Sequence, residues 1–238
     1  MSDGRDARLM LRSRRHGALS TLSARLDGHP YGSLVPFMLD HDARPVLLVS
    51  QLAEHTRNMA ADPRVSLLVY DPAQDAQAGA RATLMGTATP IADQLHPRSR
   101  YLRFFPEAKR LLEMTDFLFY RIEPVTIRYI AGFGDIRWIS EAEYLPSAKN
   151  FAVAEEEMLA NFKRIFGKAL HSLGERFQGA GTPSAMIGID CDGFDLKAGN
   201  EILRFDFPGP VSEIEAAETA LWTTFQDCGQ PLRSAKAD

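Results

Sequence analysis

The order of segments between Leu19 and Asp71 most narrows what this chain can fold into: three strand-like runs, one short polar stretch, then a fourth run. Ala18-Leu19-Ser20-Thr21-Leu22-Ser23 alternates with the two-residue period of a half-buried strand, and residues 32–39 and 45–50 read as its neighbours. Asp27-Gly28 and Asp40-His41-Asp42-Ala43-Arg44 separate them, and both are compact polar connections of the kind that reverse a chain. Connections this short join antiparallel strands, so an antiparallel sheet or barrel is expected here.

At Ser50 the period changes. Leu52, Thr56 and Met59 recur at helical spacing, and the pattern stops before Asp62-Pro63. A strand that runs straight into a helix start presents backbone N–H groups with no intrahelical acceptor, where a phosphate finds donors already aimed at it. Ser50 and Thr56 offer hydroxyls, Arg57 a bidentate fork and His55 a further donor. The same residues serve equally well in a plain cap with its polar side facing water, and spacing leaves both readings open.

Further along, residues 65–71 form an apolar strand, 72–80 a polar loop, and 82–89 another strand in which Gly86 marks a bulge or a close backbone approach. Residues 93–114 read as helical, divided by Pro97 and Pro106. Residues 117–122 and 126–131 alternate as two more strands, with Pro124 between them as a bend or an edge position. In the segment from Gly132 to Ile139, two glycines permit a tight path and Trp138 offers either a flat face to a ring system or a plug for the barrel core. Composition turns polar at residues 146–150, which sets a domain boundary and gives units 1–147 and 148–238. A long helix over 155–177 follows, its stripe of Met158, Phe162, Phe166 and Leu170 reading as core. Two strands between 185 and 207 and a helix over 212–227, with Ile214, Leu221 and Phe225 inward, complete a small α/β unit.

A net charge of -4 argues against nucleic acid as a partner, because binding a polyanion needs a basic face. No apolar stretch approaches the roughly 20 residues that span a bilayer, and residues 1–6 lack the apolar core of a signal peptide, so a cytoplasmic protein with no membrane partner is expected. The two cysteines, Cys191 and Cys228, form no CxxC pair and read as packing residues. His16, His29, His41, His96 and His171 show no metal-ligand spacing and read as surface or turn residues, so no metal site is expected.

Four ordered blocks carry a family resemblance: Gly17-Ala18-Leu19-Ser20-Thr21-Leu22, Pro30-Tyr31-Gly32-Ser33-Leu34-Val35-Pro36-Phe37, Leu52-Ala53-Glu54-His55-Thr56-Arg57-Asn58, and Asp62-Pro63-Arg64-Val65-Ser66-Leu67-Leu68-Val69. Together they resemble the FMN-binding split barrel of the pyridoxamine 5′-phosphate oxidase superfamily, and within it the chain is most similar to the HugZ-type haem-utilisation branch. In that branch a small α/β domain follows the barrel, and Ile187-Gly188-Ile189-Asp190-Cys191-Asp192-Gly193-Phe194-Asp195-Leu196 looks like its signature. The implied fold class is α+β: an antiparallel six-stranded split β-barrel with peripheral helices, then a small α/β domain.

The resemblance implies a homodimer with a cofactor cleft at its interface. Carried over by position, Ser50, His55, Thr56 and Arg57 hold the FMN phosphate and Asn58 orients the turn. Ser33, Leu34 and Val35 line the flavin ring, Arg81 makes a polar ring contact, and Trp138 covers the ring. The chain departs from the vitamin oxidases at Glu54-His55, where they carry a basic pair. The leading expectation is an FMN-binding oxidoreductase that passes electrons to a small planar substrate or acceptor near Trp138 and Arg137, since a flavin carries its own redox chemistry. A haem-binding or haem-degrading protein is the alternative. Haem-degrading members of the branch ligate iron through a carboxy-terminal imidazole, whereas this chain has no histidine after His171 and only Cys228 as a soft ligand in its tail. A cofactor-free interaction protein is the third reading, kept open by Glu54-His55.

Overall fold

Helix α1 (Asp3–Arg12) leads into strands β1 (His16–Leu22), β2 (Pro30–Pro36), β3 (Met38–Leu39) and β4 (Pro45–Ser50), followed by helix α2 (Glu54–Ala61). Strands β5 (Arg64–Tyr70) and β6 (Arg81–Pro90), helix α3 (Arg98–Phe104), two 3-10 turns, strands β7 (Phe117–Gly132) and β8 (Asp135–Ser140) and the short helix α4 (Glu141–Tyr144) complete the first of two units. This is a computed structural model, and it describes residues 3–71, 79–132, 134–148, 151–226 and 233–235. The units are Met1–Leu145 and Pro146–Asp238. Most of the loop expected over 72–80, together with Phe133, the Phe225 side chain and Cys228, lies outside the described residues.

In the first unit one antiparallel sheet runs in the order β2-β1-β5-β6-β7-β4-β3, with β8 added to β7, and curls into a half barrel. Its inner face carries Leu19, Val35, Leu47, Val49, Leu67, Val69, Leu84, Ile122 and Ile127, which form a core with Ala7, Met10 and Leu11 of α1. The expected turn at Asp27-Gly28 lies in the connection that reverses β1 into β2, with left-handed φ of 48° and 77°, and the Ser23 N–H donating to the His29 carbonyl at 2.9 Å closes the loop.

Three expectations are corrected. Residues 32–39 do not make one strand. β2 pairs with β1 as far as Pro36, the Phe37 N–H still donates to the Arg15 carbonyl at 2.8 Å, and from Met38 the chain pairs instead with β4 as β3. Residues 117–131 do make one strand, because the register shifts where Gly86 faces Pro124 and Val125 is passed over, so the bulge absorbs the missing proline N–H. Gly86 is required at that point, since a Cβ there would strike the Glu123 carbonyl. The helical stretch expected over 93–114 contracts to α3 and two 3-10 turns, with Pro97 at the cap of α3 and Pro106 opening the next turn.

The second unit opens with α5 (Phe151–Gln178) and continues through β9 (Ser184–Asp190), β10 (Gly193–Ala198), β11 (Glu201–Asp206), α6 (Ile214–Gln226) and β12 (Arg233–Ala235). Its sheet runs β12-β11-β10-β9. Three strands replace the two expected between 185 and 207, because the chain reverses twice, at Cys191-Asp192 and at Gly199-Asn200. Met158, Phe162, Phe166 and Leu170 of α5 pack with Ile189, Phe194, Leu196 and Phe205, and Cys191 belongs to that core, as its reading as a packing residue requires. Among the described residues, no helix is long and apolar enough to cross a membrane.

Candidate functional site

The strand-to-helix junction is more self-contained than its spacing suggests. Helix α2 begins at Glu54, three residues after the expected turn, with Ala53 at its cap and no side-chain capping bond. Ser50 donates its hydroxyl to Asp116 Oδ2 at 2.5 Å and accepts the Leu52 N–H at 3.1 Å. The N–H groups of Gln51, Ala53, Thr56 and Arg57 are also engaged within the protein. Arg57 is exposed, and Asn58 is fully buried: its Oδ1 accepts the Ala24 N–H at 2.9 Å and its amide donates to Thr21 Oγ1 at 3.0 Å. Asn58 therefore fastens α2 to the end of β1.

Three polar atoms around this junction lack partners. Thr56 Oγ1, His55 Nε2 and Ser33 Oγ are buried and make no hydrogen bond. Burial lowers the His55 pKa, so its imidazole is held toward the neutral form and offers one N–H rather than a positive charge. Ser33 lies on the inner side of β2, opposite Leu19 and one pleat from the Thr21 position that Asn58 grips. Val35, next on that side, is sealed in the core.

The remaining candidates lie on the opposite, outer face of the sheet. Strand register aligns Leu34, Ala18, Leu68, Thr83, Arg128 and Trp138 in one row across β2, β1, β5, β6, β7 and β8. Leu34 is 75% and Trp138 62% exposed, so Trp138 does not plug the barrel core. The Arg128 guanidinium lies over the Trp138 ring, 4.8 Å from its centroid, and makes no ion pair among the described residues. The next row carries exposed Tyr70, then Arg81, Ile130 and exposed Ile136. Arg81 also donates to the Gly79 carbonyl at 3.3 Å. Arg137 points to the other side of β8, where it pairs with Asp135 and Asp3.

The ten expected site residues thus fall into two sets. Ser33, Ser50, His55, Thr56, Arg57 and Asn58 belong to the α2 junction; Leu34, Arg81 and Trp138 to the outer face; Val35 to neither. Sequence reasoning missed Arg128 and Tyr70, although the alternation of residues 126–131 and 65–71 already placed them on the solvent side of their strands. It also dismissed His16, which is exposed at the start of β1 and alternates outward with Ala18 and Ser20.

In the second unit Asp190, Cys191 and Asp192 bring three potential ligand atoms within 4.8 Å of one another. Both oxygens of Asp190 are already taken, at 2.8 Å each, by the guanidinium of Arg204, which also meets Asp195 at 3.0 Å and Asp206 at 3.1 Å. Burial opposes the charge on Arg204, yet these carboxylates hold it ionised well above its ordinary range. The cluster is accounted for as a buried ion network.

The family model of the CREG β-barrel matches residues 2–146. The chloroplastic non-canonical heme oxygenase HOZ of Arabidopsis thaliana is 32% identical over 220 residues, covering 86% of this chain and 67% of that protein. A protein of unknown function from Agrobacterium tumefaciens aligns at a TM-score of 0.75 and 27% identity, over 92% of this chain and 94% of that one. A heme binding protein from Mycobacterium smegmatis aligns at 0.57 and 26% identity, over 96% and 98%. The resemblance to the split barrel and its haem-utilisation branch is matched at both levels. With the curled antiparallel sheet, the outward row from Leu34 to Trp138 and these relatives together, the chain belongs to the CREG β-barrel family.

Proposed function

We propose that this protein binds haem on the outer face of its barrel sheet, in a cleft completed by a second copy, and takes part in haem degradation. The observation that carries this reading is the register row ending in Arg128 and Trp138. A porphyrin is a flat apolar body with two carboxylates at one edge. Leu34, Leu68, Tyr70, Ile136 and Trp138 supply an apolar platform of unusual exposure for a soluble sheet, and Arg128 and Arg81 supply cations on the same face. The relative HOZ, named as a heme oxygenase, supports the same assignment. When bound, haem would supply the oxygen and redox chemistry; the chain's own contribution is to orient the ring, pair its carboxylates and exclude water.

The test is a visible titration of the purified protein with haemin and, separately, with FMN. Saturable haemin binding with a sharp Soret band, weakened about tenfold in an Arg128→Leu, Trp138→Ala double variant, supports the reading. Decay of that band on adding reductant in air supports degradation. A flavin reading survives on one observation, the unpartnered Ser33, His55 and Thr56 atoms beneath α2. FMN binding that Thr56→Val abolishes, with no haemin binding, would replace the haem reading with an FMN oxidoreductase. Silence toward both ligands would favour a cofactor-free interaction role.

A further inference from the structure

We infer that His16 is the axial ligand of the haem iron, an inference that rests on the haem reading above. Iron in a protein-bound haem needs a ligand of imidazole, thiolate, thioether or phenolate type, and that ligand must reach the ring from the surface on which the ring lies. All six histidines fall within the described residues, and their placements differ sharply. His29 sits in the β1–β2 hairpin, 2.5 Å from the Leu26 carbonyl. His41 lies in the β3–β4 turn beside Arg100, and the Nε2 of His55 is buried beneath α2. His96 is in an exposed turn before α3, and His171 pairs with Glu175 on α5. Only His16 stands on the outer face of the barrel sheet.

Its position there is central to the proposed platform. His16 faces Pro36 across one side of β1. On the other side β1 pairs with β5 through Ala18 and Leu68, two residues along the same outer face from His16 and Tyr70 respectively. Tyr70 faces Arg81, and β1 and β6 flank β5, so their backbones run about 10 Å apart at the usual strand spacing. The adjoining row holds Leu34, Leu68, Arg128 and Trp138. One exposed imidazole therefore shares an apolar sheet face with two arginines and two exposed aromatic side chains. A ring laid across that face meets an imidazole within the platform and cations toward β6 and β7. His16 supplies an imidazole from the first strand.

The experiment compares haemin titration, Soret position and electron paramagnetic resonance for the full chain and for His16→Ala, Tyr70→Phe and His29→Ala. His16 is exposed, so its variant should keep the thermal midpoint of the parent. Expected for His16→Ala are loss of the imidazole signature, a shifted Soret band and haemin affinity weaker by about tenfold or more, since even outer-shell partners of metal ligands carry that much. Added imidazole should restore the parent spectrum, and His29→Ala should change nothing. An unaltered spectrum in His16→Ala overturns the assignment while leaving haem binding intact. A spectrum altered in Tyr70→Phe alone moves the ligand to the phenolate. A parent chain that binds no haemin overturns both this assignment and the reading beneath it.

Discussion

Asp40 is a single residue whose surroundings predict a pH dependence of the whole protein. It closes the β3–β4 turn, where its Oδ1 accepts the Arg44 N–H at 2.8 Å. Burial outweighs that bond and the nearby arginines, and pushes its carboxyl up to about 6 from an ordinary 3.8. The folded state therefore holds a proton that the unfolded chain has already lost between those two values. Stability falls as pH rises through about 4 to 6 and is level above that window. Asp40→Asn keeps the acceptor and removes the charge. It should be more stable than the parent at pH 7 to 8 by on the order of 1–3 kcal/mol, and level with it near pH 4. Urea unfolding at a series of pH values measures this, and parallel pH profiles for the two proteins would refute it. The turn itself was legible in Asp40-His41-Asp42-Ala43-Arg44; the burial of its first carboxylate was not, because it depends on strands distant in the chain.

Helix α2 is the element where local pattern and tertiary packing part company. Of the expected spacing, Thr56 and Met59 turn inward and Arg57 outward, whereas Leu52 is exposed and lies before the helix, because the Ser50 hydroxyl captures the Leu52 N–H and holds the backbone in a turn. What secures the helix is Asn58, buried and bonded at both ends of its amide, to Thr21 of β1 and to Ala24 two residues past its end. Asn58→Ala should cost about 1–3 kcal/mol, because the buried Thr21 hydroxyl loses its donor and the Ala24 N–H its acceptor. A drop below 0.5 kcal/mol in denaturant unfolding, about the level of an ordinary surface change, would show that the helix is held by its apolar side alone. The family resemblance implied that this residue orients the turn, and in the structure its amide bonds to Thr21 and Ala24.

At the scale of the molecule, each unit has its own core and its own way of handling polar groups. The second unit buries Arg204 with Asp190, Asp195 and Asp206, and the guanidinium is 2% exposed. Removing one side of such a network is costly, since the charges left behind have been taken out of water. Arg204→Met should lower stability by roughly 3–5 kcal/mol. Calorimetry should show this as a fall in the unfolding temperature, and an unchanged midpoint would mean the carboxylates are neutralised another way. None of this network stands out in the sequence, where Asp190, Asp195, Arg204 and Asp206 read as ordinary polar positions of alternating strands. Antiparallel pairing of β10 with β9 and β11 gathers them.

By itself the sequence determined the runs of β1, β4, β5 and β6, the turn at Asp27-Gly28, the break before Asp62-Pro63 and the family, because period, turn chemistry and ordered motifs are local properties. It also named Leu34, Arg81 and Trp138 as site residues. Only tertiary structure decided that these three share an outer face while Ser33 and Val35 turn inward, that β7 runs unbroken past Pro124, and that His16 and Arg128 join the exposed row. The physical reason is register: a strand fixes which residues alternate, but which residues meet across a sheet depends on bulges and on hydrogen bonds to distant strands.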